Sequence, residues 1–150
     1  MEICEKNKCT GCYACVNACS HHCIEMREDE DGAVRPVIDE TKCIGCKLCI
    51  SSCPNNANLE YKYPTKCYAS WITDRNKRKI CASGGIGTIM SEYVLRQNGV
   101  VFGSRYDSYM TPIMTYTEKF EDLEFFKGSR YVQSLVGNET YKNVRKFLKV

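Results

Sequence analysis

The sequence predicts an α+β protein of two unlike domains, and three observations lead to this prediction. Ten of the 12 cysteines in the 150-residue chain lie within the first 53 positions. Residues 1–60 carry 6 Lys and Arg against 10 Asp and Glu, whereas residues 61–150 carry 15 against 8. Tyr13 is the only aromatic residue before position 61, and fifteen others follow. A cysteine-rich, acidic domain over 1–60 is therefore expected to precede a basic, aromatic-rich one over 67–150, with 61–66 as the linker.

The composition excludes several classes of protein. Hydrophobic residues make up 43% and charged residues 26%, which is typical of globular proteins and not of disordered, collagenous or membrane-spanning ones. No apolar run approaches the roughly 18 residues of a membrane helix. The N-terminus lacks the basic and apolar regions of a secretory signal, which predicts a cytoplasmic protein with reduced thiols. Reduced cysteines at this density indicate a metal-binding domain.

The first domain contains an internal repeat of cysteines. The spacing C-x2-C-x2-C-x3-C occurs at Cys9, Cys12, Cys15 and Cys19, and again 34 residues later at Cys43, Cys46, Cys49 and Cys53. Three close thiolates can bind one face of a cuboidal cluster, and in this motif the fourth ligates the other cluster. The spacing predicts one [4Fe-4S] cluster on Cys9, Cys12, Cys15 and Cys53, and a second on Cys43, Cys46, Cys49 and Cys19. Zinc is the alternative, but zinc ribbons use two C-x2-C pairs and need no third or fourth cysteine in the run.

The remaining features of this domain are expected to be structural. Cys4 lies in a predicted first strand and Cys23 beside a cluster, where both are expected to act as small hydrophobic residues. His21 and His22 are expected on an exposed helix face. The acidic run 28–32 ends in Asp-Gly, which is typical of a hairpin turn with a solvated tip; the alternative is a docking patch for a basic redox partner.

On these motifs, residues 1–60 resemble a bacterial-type ferredoxin with two [4Fe-4S] clusters. The resemblance implies a pseudo-twofold fold with short helices after Cys15 and Cys49 and two small antiparallel ribbons. Pro54 follows Cys53 as in that family, whereas Ser20 follows Cys19 where proline is usual. Serine also tolerates a helix start, so the ligand role of Cys19 is retained and only the rigidity of the turn is affected.

The second domain alternates helical and strand patterns, which predicts an α/β layer. Apolar residues at helical spacing predict a helix from Ile86 that stops at Asn98-Gly99. Residues 100–103 and 112–116 are predicted strands, and an amphipathic helix is predicted from about Asn138. Because the next element of such a layer should be a strand, the chain is expected to be a fragment of a longer protein.

A glycine-rich turn precedes the predicted helix at Ile86. Ser83 is expected to cap this helix, and Gly84 and Gly85 leave backbone N–H groups free for a phosphate or carboxylate. The alternative is a capped tight turn whose glycines permit close packing. The basic run 75–79 is either a solvated face or a surface that steers an anionic cofactor. Cys81, in the same turn, is expected to be inert, with a reactive thiol beside a flavin as the alternative.

Six segments of this domain resemble, in order, the N-terminal part of the coenzyme F420 hydrogenase/dehydrogenase beta-subunit family: residues 66–71, Asp74 with Arg78, 82–85, 92–95, 99–103 and 127–134. The resemblance implies an FAD-binding domain fused to the two-cluster module. It also implies that two segments lie near FAD, contributing Ser83, Gly84, Gly85, Gly128, Ser129, Tyr131, Gln133 and Ser134.

These expectations lead to an oxidoreductase of an anaerobe. FAD would exchange hydride with a soluble donor or acceptor, such as reduced coenzyme F420 or another organic substrate, and exchange single electrons with the clusters. No catalytic side chain is required. A redox partner protein, either a ferredoxin or another oxidoreductase subunit, is also expected. The alternatives are a ferredoxin-type carrier or an accessory electron-transfer subunit, each with a non-catalytic C-terminal domain. No nucleic-acid-binding module is recognisable.

Overall fold

The structure, a computed structural model, describes residues 1–148. In chain order its elements are α1 (Ala14–Ala18), β1 (Ile24–Glu28), β2 (Val34–Ile38), α2 (Leu48–Ser51), α3 (Arg75–Lys79), α4 (Ile86–Arg96), β3 (Val101–Tyr106), β4 (Pro112–Thr117), α5 (Leu123–Phe126) and α6 (Thr140–Leu148). Short 3-10 helices occur at Lys6–Lys8 and Pro54–Asn56. None of the helices over residues 1–148 is long and apolar enough to cross a membrane.

The chain divides into two compact units that differ from the predicted domains at the C-terminal end. Unit 1 comprises Met1–Tyr61 and the segment that begins at Gly137, and unit 2 comprises Lys62–Val136. The C-terminal segment packs on α1, where the side-chain amide of Asn17 donates to the carbonyl of Gly137 at 3.0 Å. The backbone N–H of Tyr141 donates back to the Asn17 side-chain oxygen at 3.3 Å. The sequence placed this segment in the second domain because local periodicity predicts a helix but not its packing partner.

The repeat of unit 1 extends from the sequence to the backbone. α1 and α2 begin at Ala14 and Leu48, 34 residues apart like the cysteines. Gly11 and Gly45 have φ of 62° and 72°, and the residues before the two helices, Tyr13 and Lys47, have φ of 63° and 62°. A Cβ on Gly45 would meet nothing within 4 Å, so its left-handed conformation, rather than lack of space, favours glycine. Left-handed residues in alternation turn successive N–H groups to one side, which makes an anion-binding concavity.

One antiparallel ribbon is formed in the described part of unit 1, where the resemblance implied two. β1 pairs with β2 in the register Ile24↔Ile38 to Glu28↔Val34. Cys4 lies in a bend and not in the predicted strand. The amide side chain of Asn56 donates to the carbonyl of Ile3 at 2.8 Å. A side-chain hydrogen bond thus joins the two ends of the repeat where a second ribbon was expected.

The predicted hairpin turn lies between β1 and β2, but its acids are not all solvated. Gly32 adopts φ 77°, as a tight Asp-Gly turn requires. The carboxylate of Asp29 accepts from the N–H groups of Asp31 and Ala33 and from Nε of Arg35 at 2.8 Å. These bonds lower the pKa of the Asp29 carboxyl, with the Arg35 hydrogen bond as the largest cause. Asp29 therefore organises the turn, and the solvated-tip interpretation is wrong for this residue.

Unit 2 is built around an antiparallel hairpin and α4. β3 and β4 pair in the register Val101↔Thr117 to Tyr106↔Pro112, and Leu135 adds a parallel bridge to Ile113. The strand and helix positions agree with the predicted ones. The predicted apolar face of α4 is mostly exposed. Met90 is 64% exposed and Tyr93 is 66% exposed, and Leu95 is the only buried residue of this helix. Periodicity located the helix but did not predict which side of it is covered.

Candidate iron–sulfur centres and a second cavity

The eight predicted ligand cysteines separate into two groups of four in unit 1. One cavity, site I, is lined by Cys9, Cys12, Cys15 and Cys53 together with apolar residues and Cys4. The other, site II, is lined by Cys19, Cys43, Cys46 and Cys49 together with Cys23, Ile24 and Ile38. Each cavity thus receives three cysteines from one repeat and the fourth from the other repeat.

Local structure explains why the fourth cysteine of each run lies at the other site. Cys15 is on α1 and Cys49 on α2, while Cys19 and Cys53 follow these helices and are no longer helical. The end of the second run is held against the first loop by Asn55, whose side-chain amide donates to the carbonyl of Lys8 at 2.6 Å. Asn55 and Asn56 were not identified from the sequence. An asparagine two or three positions after a cysteine run carries no pattern that distinguishes it from an ordinary turn residue.

Four of the ten thiols that line the two cavities are buried. Cys15, Cys23, Cys49 and Cys53 are between 5% and 8% exposed. Burial raises the pKa of the Cys15 thiol to about 11 and raises that of Cys49. Because the metal-binding form is the thiolate, metal must compensate for this desolvation when it binds. Among the described residues of unit 1, cysteines provide four of the eight buried apolar side chains, so the thiols form much of its interior.

Site II shows one thiol pair in direct contact. Sγ of Cys19 and Sγ of Cys23 are 3.3 Å apart. The pKa of Cys23 is raised to about 12, first by the hydrogen bond with Cys19 and then by burial. For Cys19 burial raises the pKa, but hydrogen bonds from the backbone and thiol of Cys23 and from the backbone of the two histidines outweigh it, so the net direction is downward. The surroundings of Cys19 thus favour the thiolate, as a metal ligand requires.

The donor set at each site, four cysteines, is that of an iron–sulfur cluster. The free volumes at sites I and II are about 20 and 10 Å³, similar to a water molecule and smaller than a core of four irons and four sulfides. The fit therefore rests on the donor set and not on the free volume. Over residues 1–148, no three His, Cys, Asp or Glu side chains converge on a point that could hold a single ion. In a [4Fe-4S] cluster each of the four thiolates would bind a different iron.

The C-terminal helix α6 adds a contact to site I. The hydroxyl of Tyr141 donates to the carbonyl of Cys12 at 3.0 Å. Burial, followed by the charges of Cys12 and Cys15, raises the pKa of this tyrosine. Tyr141 was predicted only as part of an amphipathic helix, and no local signal connects it with a cysteine 129 positions away. Its exposed neighbours Arg145 and Lys146 place basic side chains on unit 1, which is otherwise acidic.

Unit 2 contains a separate cavity of about 240 Å³ at the N-terminus of α4. Its lining consists of Ala82, Gly85, Gly87, Thr88, Ser91, Val101, Phe102, Gly103, Leu123, Phe126, Lys127 and Gly128. Gly85 and Gly128, from the two segments expected near FAD, therefore meet in one cavity. Ser83, Gly84, Ser129, Tyr131, Gln133 and Ser134 do not line it, and Tyr131 is 93% exposed.

Ser83 does not cap α4, contrary to the sequence prediction. The capping residue is Gly85 with φ 76°, and no side chain hydrogen-bonds to this end of the helix. Ser83 itself adopts φ 54°, and Gly84 packs so closely that a Cβ would be 2.5 Å from the carbonyl oxygen of Ser70. The close-packing interpretation of the turn thus applies to Gly84. The free N–H groups at the start of α4 remain available because the cap is a glycine.

Arg130 holds the second segment that lines this cavity. Its guanidinium donates to the carbonyls of Lys127, Gly128 and Phe125 at 2.7, 3.0 and 2.8 Å. It also stacks over the Tyr106 ring at 4.7 Å. The basic run 75–79 does not line the cavity; Asp74 caps α3, and Lys77 of this run pairs with Glu92. Cys81 is half-buried and Cys67 is exposed.

A comparison with protein families finds a match within unit 1. Residues 8–57 match the model of a 4Fe-4S dicluster domain. The chain contains an iron–sulfur electron-transfer domain. The match covers both cysteine runs and a third of the chain, and it ends before unit 2. No curated protein matches the chain.

Proposed function

We propose that the dicluster domain holds its two [4Fe-4S] clusters with crossed ligands, at Cys9, Cys12, Cys15 and Cys53 and at Cys43, Cys46, Cys49 and Cys19. The grouping of these thiols around sites I and II supports the assignment and is the observation that carries it. When bound, the clusters supply one-electron transfer. The chain contributes the ligand thiolates, a buried environment and the N–H groups of the two loops. Together these determine how much negative charge each site stabilises.

We further propose that unit 2 binds FAD and that the protein is part of an oxidoreductase. FAD would supply the exchange between a hydride and single electrons. Support comes from the cavity at the start of α4, where Gly85 and Gly128 meet and N–H groups are open to a phosphate. A volume of about 240 Å³ suits a portion of the cofactor, because sites for whole ligands of that size are larger. The hydride partner would be reduced coenzyme F420 or another organic molecule.

The test is anaerobic assembly of the protein with iron, sulfide and FAD, followed by metal analysis and absorbance spectroscopy. We expect about eight iron atoms per chain and one bound flavin. About eight iron atoms without flavin would contradict FAD binding and favour the second candidate, a ferredoxin-type carrier. That candidate is supported by the family match, which requires no flavin. Two zinc atoms and no iron would contradict both.

A redox partner protein is expected in either case, and α6 is a place to test for one. Arg145 and Lys146 are exposed on this helix, which contacts the site I loop through Tyr141. Replacing both with glutamine should slow electron exchange with an acidic partner at low salt and leave exchange with a small neutral mediator unchanged.

A further inference from the structure

The interior of unit 1 contains two cysteines that the cluster assignment does not use. Cys4 lines site I and Cys23 lines site II. The sequence predicted both as inert small residues. For Cys23 the structure shows more than burial, because its sulfur is 3.3 Å from the sulfur of Cys19. That separation is within hydrogen-bonding range for a thiol and a thiolate, and it is closer than two sulfurs approach in ordinary packing.

We propose that the thiol of Cys23 donates a hydrogen bond to the Cys19 thiolate and thereby raises the reduction potential of the cluster at site II. This inference rests on the proposed ligand role of Cys19. The direction follows from charge. Reduction adds an electron to the cluster and its thiolates, so a donor aimed at a ligand sulfur stabilises the reduced state more than the oxidised one.

The surroundings of Cys23 support a donor in preference to a fifth ligand. Four thiols line site II besides Cys23, which is the number one cubane cluster takes. Cys23 is 5% exposed, so water does not compete for its proton. Because Cys19 as a cluster ligand carries no proton, a hydrogen bond between the two sulfurs is donated by Cys23.

The repeat equivalent of Cys23 is not a cysteine, because the position 34 residues later is Ala57, which is exposed. Site I has an unligated thiol from another part of the chain, Cys4, which is hydrogen-bonded with Cys53. Each site thus has one thiol beyond its four proposed ligands, and for Cys23 the sulfur–sulfur distance to the proposed ligand is 3.3 Å.

The experiment compares the assembled wild-type protein with Cys23→Ala and Cys23→Ser by iron analysis and EPR-monitored potentiometric titration. All three should bind about eight iron atoms per chain. In Cys23→Ala one of the two midpoint potentials should fall. At a fixed applied potential, the ratio of reduced to oxidised cluster should then drop about three- to tenfold. A tenfold drop corresponds to a fall of about 59 mV in the midpoint potential for one electron. Cys23→Ser, whose hydroxyl also donates, should retain most of the wild-type value. Cys67→Ala, at an exposed thiol in unit 2, should change nothing.

The outcomes separate this inference from the proposed function. Full iron content with unchanged potentials in Cys23→Ala would refute the hydrogen bond and leave the ligand assignment intact. Loss of about half the iron in Cys23→Ala would make Cys23 a ligand and also refute the inference. Equal shifts in the alanine and serine variants would assign the effect to packing. Absence of iron in the wild type would instead refute the proposed function.

Discussion

The crossed pairing of ligands can be tested with double variants that give opposite results for crossed and uncrossed clusters. Removing one ligand from a site is expected to cost that site its cluster, since the vacant iron loses its protein bond. In the structure Cys9 shares site I with Cys53, whereas Cys19 is at site II. The variant Cys9→Ala/Cys53→Ala therefore damages one site, and Cys9→Ala/Cys19→Ala damages both.

The expected magnitudes follow from four thiols at each site. Cys9→Ala/Cys53→Ala should retain about four iron atoms per chain, and Cys9→Ala/Cys19→Ala should retain about none. The single variants serve as controls, with about four each. Iron and acid-labile sulfide are measured after anaerobic assembly, together with the EPR intensity of the reduced protein. The reverse order of the two double variants would refute the crossed assignment and place all four cysteines of each run at one cluster.

Three further predictions concern packing and access. Gly84→Ala should lower the free energy of unfolding of unit 2 by about 1–3 kcal/mol, because the new Cβ would overlap a backbone carbonyl. In the matched control Gly87→Ala the new Cβ meets nothing within 4 Å, so this variant should stabilise α4 by about 0.4–1 kcal/mol. Equal effects of the two variants in thermal unfolding would contradict the close packing of Gly84. Tyr141→Phe should reduce stability by about 0.5–1.5 kcal/mol through loss of its hydroxyl hydrogen bond, measured by denaturant titration of the assembled protein; an unchanged midpoint would show that the bond contributes nothing. Alkylation of the assembled protein should modify Cys67 but not Cys46, although both are exposed, because a thiolate bound to metal does not react readily. Mass spectrometry that shows both cysteines modified would exclude Cys46 as a ligand.

Asp39 in unit 1 stabilises a turn through its hydrogen bonds and an ion pair. Asp39 accepts from the N–H and hydroxyl of Thr41 and pairs with Lys42 at 3.0 Å. These contacts, with the Thr41 side chain as the largest cause, lower the pKa of the Asp39 carboxyl to about 2. The stabilisation they provide is present above the unfolded pKa of about 3.9 and is lost as the pH falls towards 2. The turn that leads into the second cysteine run is thereby fixed at neutral pH.

The sequence by itself determined the features that depend on spacing along the chain. Two cysteine runs with equal spacing predicted two clusters, and the family match agrees with this prediction. The helix at Ile86 and the two strands that follow were also predictable, because apolar periodicity and Asn-Gly stop signals act within a few residues. The turn at Asp31-Gly32 follows from the same kind of local rule.

Tertiary structure decided the features that depend on contacts between distant residues. Tyr141 reaches Cys12 across 129 positions, and Asn55 reaches Lys8 across 47, although neither side chain belongs to a pattern. The predicted cap at Ser83 is wrong: α4 begins at Ile86 as predicted, but its capping residue is Gly85 in the left-handed conformation, and Gly84 packs against the backbone of Ser70. The twelve cysteines likewise looked equivalent apart from spacing. Cys19 and Cys23 are only four residues apart, yet only the structure placed their sulfurs 3.3 Å from each other, because that distance depends on the backbone conformation of residues 19–23 and not on their order alone.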